Sequence, residues 1–387
     1  GAARRLDLSL SSTLQALQPA RLDPRAPALQ VSGPLTLTYS HPLDASAADA
    51  RHATLHTDLR GRFDTAGLPE VRLLLQAQAT PRRLDLERLL ARSGNARLDA
   101  GGHVARDDVQ RWQVRLHSEL DDFDPALWWP GETRSVWQQG PHRLDGRLDV
   151  DLQIPVERAT GLAGLAGTRG HAELRLSPSV LAGVPLAGQL RLHTPDGEPG
   201  AHPRLLADGH LGIGAPSGGS DLTELDLQGD IAPTGHDDRW HLQWRSAALE
   251  RLAPWWRLAG SALQPGGDTQ GELTLTGRGA TLRSSGRLRS TQLRLAPHAE
   301  LQDLQLTWRA APGQRDEPLE LDGDLGVLRA AGQTLRGLAL RGRGTPGAHQ
   351  LTLRSDLGAG RDARARRLLA RIGLDGGLQT DGNSLRW

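Results

Sequence analysis

The chain has 387 residues, and 46 basic against 45 acidic side chains leave a formal net charge of +1. Arginine and aspartate are interleaved along its whole length, without the clustered positive charge that nucleic-acid binding requires, so nucleic acid is excluded as a partner. The absence of Cys excludes disulfides, thiolate metal sites and thiol nucleophiles, and no run approaches the roughly 18 apolar residues of a spanning helix.

The length exceeds one ordinary domain, which implies two or three domains or one elongated repetitive architecture. A hydrophobic fraction of 37% with 3% aromatics is lean for a globule, so the elements are expected to bury one face rather than build a thick core. All basic residues other than His are Arg, and Met is absent. That bias fits a GC-rich genome, and the missing start Met reads as an internal fragment of a longer product.

In chain order, the first distinct element is DLERLLARSGN, Asp85 to Asn95, whose acidic start and Gly stop predict a helix of two or three turns. Period-two alternation then dominates, placing every second side chain on one strand face. It is clear in Leu148–Pro155, His171–Ser177, Gly271–Gly277, Gln292–Pro297, Leu304–Trp308 and His349–Asp356. Gly, Pro, Asp and Ser clusters separate these runs, which is the pattern of an all-β protein. Ser246–Pro254 predicts one or two helical turns ending before its Pro. The arginine-rich segment 362–373 is compatible with either state and reads as strand from the alternation around it.

One pattern occurs twice. GHVARDDVQRWQVRLHSELDDFDPALWWPG, Gly102 to Gly131, and GDIAPTGHDDRWHLQWRSAALERLAPWWRLAG, Gly229 to Gly260, each place Arg-Trp before an alternating run and Trp-Trp after a polar break. Trp112 and Trp240 are 128 residues apart, and Trp128 and Trp255 are 127 apart. Trp112, Val114 and Leu116 match Trp240, Leu242 and Trp244 in parity, so both sets face one side of a strand. A one-residue slip would reverse them all. The expected organisation is therefore a β segment over 1–100 with a helix near 85–93, a first Trp-containing repeat over 101–228, and a second over 229–387 that includes the start of another. Such a repeat suits an array whose units cover one another's apolar faces.

LDDFDPALWWPG followed by LDGRLDVDLQ resembles the TamB family of translocation and assembly module proteins, within the AsmA-like, bridge-like lipid transfer group. GTPGAHQLTLRSDL, Gly344 to Leu357, followed by LDGGLQTDGNSLRW, is similar to the strand pattern of the same family. The resemblance implies an elongated β-taco, a U-shaped trough with an apolar inner face and few short helices, running through the periplasm of a Gram-negative bacterium. It further implies a non-enzymatic role, carrying phospholipid between inner and outer membranes and supporting outer-membrane biogenesis. An N-terminal helix in the inner membrane and a C-terminal region docking on a TamA-like outer-membrane barrel are implied for the full-length protein, and neither is recognisable in this sequence.

Independently of that resemblance, leucines on one strand face and polar residues on the other make an amphipathic sheet whose apolar side must find cover. The candidate lining is Trp112, Val114, Leu116, Leu148, Val150, Leu152, Leu174, Leu176, Leu190, Leu192, Trp240, Leu242, Trp244, Leu273, Leu275, Leu293, Leu295, Leu304, Leu306, Trp308, Leu351 and Leu353. The cover is either a second sheet in a closed sandwich or acyl chains in an open trough. Trp128, Trp129, Trp255 and Trp256 are candidates for a corner packed by indoles, or for a rim meeting lipid headgroups.

Two other roles suit an amphipathic sheet: a scaffold aiding outer-membrane or autotransporter protein assembly by β-strand addition, and a lectin-like module stacking sugars on exposed Trp. Signals for catalysis, cofactors and metals are poor. The one G-x-G-x-x-G match, Gly342, Gly344 and Gly347, leads into a strand pattern rather than the helix that cradles a phosphate. His52 and His56 lack a third ligand nearby, and the carboxylates are too numerous and too regularly interleaved with Arg to nominate a general acid.

Overall fold

The computed structural model describes residues 5–43, 50–65, 67–107, 111–128, 140–156, 165–195, 204–214, 223–233, 236–311, 314, 316–357, 368–376, 379–381 and 384–386. Among the described residues the protein is all-β and antiparallel, with 72% of them in strand and two short α-helices. It divides into two compact units, residues 1–203 and 204–387.

The first unit is an up-and-down meander. Its strands are β1 (Arg5–Leu17), β2 (Leu29–Pro42), β3 (His52–Phe63), β4 (Val71–Thr80), β5 (Arg83–Ser93), β6 (Ala96–Arg106) and β7 (Arg111–Phe123), then α1 (Pro125–Trp128), β8 (Leu144–Pro155), β9 (Arg169–Leu181) and β10 (Val184–His193). Each strand pairs antiparallel with the next one in sequence. Short connections make this the natural topology of alternating strands, because sequence neighbours become spatial neighbours.

The second unit repeats the plan with β11 (Leu205–Ile213), β12 (Thr223–Ile231) and β13 (Arg239–Ser246). A 3₁₀ turn (Leu249–Leu252) and α2 (Ala253–Leu258) follow, then β14 (Gln264–Gly267), β15 (Thr269–Thr276), β16 (Arg283–Ala296), β17 (Ala299–Ala310), β18 (Leu319–Ala330), β19 (Gln333–Thr345), β20 (Ala348–Leu357) and β21 (Leu368–Gly376). A separate small pair joins β22 (Gln379–Asp381) to β23 (Ser384–Arg386). β16 is long enough to take β15 along its first half and β14 along its second.

Two sequence expectations need correction. The helix expected over 85–95 is β5 and its turn, and all of 83–93 lies in the ladder between β4 and β6. A bulge between Leu86 and Leu89 explains the misleading pattern. The extra residue lets two leucines three apart share a strand face, which imitates a helical period. Around Pro254 the chain does not stop. The 3₁₀ turn runs into α2, where Pro254 sits in the first turn and its missing N–H leaves nothing unsatisfied.

The two Trp motifs occupy matching places. Trp112, Val114 and Leu116 on β7 face Ile154, Leu152 and Val150 on β8. Trp240, Leu242 and Trp244 on β13 face Leu275, Leu273 and Gly271 on β15. A helical insert follows the Trp strand in both. In the first unit that insert packs on a core: Leu29, Val31, Phe63 and Val71 from β2–β4 are buried, and Leu127 and Trp128 of α1 lie against them with Leu17 and Leu59. Trp128 also stacks on Phe123, with centroids 6.3 Å apart and planes at 13°.

In the second unit, a buried clasp ties the β12–β13 connection to the segment after β15. Asp238 is 3% exposed. Its carboxylate accepts the Ala232 N–H at 2.7 Å and two bonds from the Arg278 guanidinium at 2.7 and 2.9 Å.

Candidate functional site

The register aligns apolar residues into rows that cross whole units. In the first unit one row reads Leu10, Leu37, Leu55, Ala77, Leu86, Gly102, Leu116, Val150, Ala172 and Leu192, one residue from each of ten strands. Ser118, Leu148, Leu174 and Leu190 belong to the adjacent row, Leu152 pairs with Val114, and Leu176 pairs with Gly146 and Gly188. All the first-unit lining candidates therefore share one face.

In the second unit a row runs Gly209, Leu227, Leu242, Leu273, Gly286, Trp308, Leu321, Gly342 and Leu351. Its neighbour runs Leu211, Leu225, Trp244, Gly271, Leu288, Leu306, Gly323, Leu340 and Leu353. Trp240 pairs with Leu275, and Leu304 with Ser290. Leu293 and Leu295 stand apart from these rows. They lie past an irregularity at Asp303, whose φ is 55°, and pair with Leu301 and Ala299.

These rows are half-buried at most positions, and the leucines nearest the β1 edge are open, with Leu8 55% and Leu10 52% exposed. The alternate residues carry charge and meet across strands. Glu119 pairs with Arg147, Asp149 with His117, Asp151 with Arg115 and Asp58 with Arg72. The Arg147 guanidinium holds the Glu119 carboxyl below its ordinary range, and Arg191 with Arg175 does the same for Glu173. Such exposed pairs individually add little stability. On this charged side Glu224, Asp226, Gln243, Arg245, Glu272 and Arg287 border a depression of about 360 Å³.

Three indoles lie over glycines of the neighbouring strand, an arrangement that no periodicity in the sequence reveals. Trp240 faces Gly229, Trp244 faces Gly271 and Trp308 faces Gly286. A Cβ added at Gly229 would sit 2.5 Å from Cζ3 of Trp240, and one at Gly286 would sit 2.5 Å from Cζ2 of Trp308. The ring thus covers the bare backbone beside it, as large aromatic groups do for glycines in sheets. Trp308 Nε1 donates to Ser284 Oγ at 2.8 Å, satisfying its one polar atom.

Of the corner candidates, Trp128 belongs to α1 and to the core described above, and Trp255 and Trp256 are half-buried on α2. Trp129 lies outside the described residues. Beside α2, the Glu250 carboxylate accepts the Gly267 N–H at 2.7 Å, which fastens the insert to β14. Gly342 and Gly344 lie in β19, and the connection to β20 is a tight hairpin, so no helix follows the glycines. His56 contacts Gln76 at 3.1 Å, and no group of three or more metal-binding side chains occurs among the described residues.

No family model, curated protein or solved structure matches the chain.

Proposed function

We propose that this chain is a length of lipid conduit of the TamB-like kind, in which the leucine-rich face is the inner wall of a β-taco and phospholipid acyl chains are its cover. The observation that carries the reading is the row from Leu10 to Leu192, apolar or glycine at every step across ten strands. Half-exposed apolar surface of this extent calls for a partner. The packing of α1, which follows β7, against strands β2–β4 supports a sheet that curls on itself.

Burial of apolar surface contributes about 0.8 kcal/mol per methylene, so an acyl chain of some fourteen to sixteen carbons gains on the order of 10 kcal/mol on such a wall. Because the attraction is non-directional, repeated rows offer similar wells at each step and allow lipid to slide without catalysis. In this reading the chain works in the periplasm between inner and outer membranes.

The test is a photocrosslinking residue at Trp244 or Leu275, both on the leucine-rich face. Recovery of covalently attached phospholipid is the expected result. Capture of protein alone sinks the conduit and favours a scaffold that binds client strands.

A further inference from the structure

On β6 the residues Ala96, Leu98, Ala100, Gly102, Val104 and Arg106 alternate onto the leucine-rich face. Arg106 is the last of them, at one margin. Following the register through β1–β10, it is the one Arg, Asp or Glu on that face among the described strand residues. Its register partner is Trp112, and the Arg106 N–H is held by the Arg82 carbonyl at 2.7 Å.

Many arginines on the opposite face meet carboxylates, among them Arg72, Arg115, Arg147 and Arg175, and Arg97 does so while its Nε is left unpartnered. Arg106 has no such carboxylate among the described residues, and its Nε is buried without a hydrogen-bond partner. The adjacent Asp107 instead accepts the Arg111 N–H at 2.7 Å through Oδ1. A second orphan, His41 Nδ1, lies on the same margin two residues along β2 from Tyr39. Of the guanidinium, Nε alone is enclosed without a partner, so the two Nη groups are open at the margin, where an anion can meet them beside the apolar rows. A guanidinium is the side chain best shaped to grip a phosphate through two parallel N–H bonds, and the neighbouring indole suits a boundary between apolar and wet surroundings.

We propose that Arg106 anchors the phosphate of a lipid headgroup whose tails lie on the leucine rows, which makes the face selective for phosphate-bearing lipids over uncharged ones. This assignment rests on the conduit reading. The tails occupy the rows ending at Leu84, Val104 and Val114, and the phosphate sits just beyond the last of them.

Native mass spectrometry of the full chain with phosphatidic acid and with diacylglycerol of identical chains tests the assignment. A charged hydrogen bond of ordinary strength gives phosphatidic acid a preference of about tenfold or more. Arg106→Gln should bring the ratio close to one, and Arg106→Lys should restore part of it. An unchanged ratio in Arg106→Gln overturns the anchor. Equal binding of both lipids by the unaltered chain also overturns it while leaving the conduit standing, whereas binding of neither removes both. Inorganic phosphate alone should not displace phosphatidic acid, and displacement would make this a free-phosphate site and refute the lipid assignment.

Discussion

At Gly286 the missing Cβ is a packing requirement. A methyl group there would lie 2.5 Å from both the Glu272 carbonyl oxygen and the Trp308 ring. Gly286→Ala is therefore expected to destabilise the fold by about 1–3 kcal/mol, the usual range for overpacking, measured as a lowered urea midpoint. Asp238 works in the opposite way, as a buried acceptor with three donors. Asp238→Ala leaves the Arg278 guanidinium and the Ala232 N–H without their partner, and a loss of about 3 kcal/mol is expected in the same assay. Neither role is legible in the sequence. The glycine and its indole are 22 residues apart, and only the register of β16 against β17 brings them together.

Among the elements, β5 shows how local pattern misleads. Its Leu, Arg and Glu residues favour helix by intrinsic preference, and the bulge adds a false helical spacing, yet pairing on both edges decides the outcome. The β18–β19 turn offers a cleaner test of local chemistry. Ala331 and Gly332 both have positive φ, 48° and 74°, as a type I′ hairpin demands, and Asn is better suited than Ala to the first of these positions. Ala331→Asn should raise stability by about 0.5–1 kcal/mol, read as a higher melting temperature.

The α2 insert gives a pH dependence. The Gly267 N–H is the main cause holding the Glu250 carboxyl below its ordinary range. The stabilisation is thus complete above the glutamate range near about pH 4 and fades as pH falls through it. Glu250→Gln should accordingly cost stability at pH 7 and much less at pH 3, as compared by urea unfolding at the two values.

For the whole molecule, the all-β class, the alternation and the shared parity of the two Trp strands were legible because a half-buried antiparallel strand writes its face directly into every second residue. The rows themselves were not, since they depend on bulges such as those at Leu86 and Phe123 that keep apolar residues in step across unequal strands. The place of Arg106 at the end of that face was hidden for the same reason. If the rows bind lipid, Leu275→Asp should leave the far-ultraviolet circular dichroism of the sheet unchanged while abolishing phospholipid capture at Trp244. Loss of the sheet signal would instead show Leu275 to be needed for folding.

The meander has a consequence for how such a chain forms and evolves. Since nearly every strand finds its partner within one hairpin, few long loops must close before native contacts reward them, and folding can spread by zippering from many starting points. The same locality means that inserting or deleting a pair of strands disturbs little beyond its own neighbours. The reach of a protein built this way becomes a matter of copy number, adjustable by duplication of a unit as short as the 128 residues between Trp112 and Trp240.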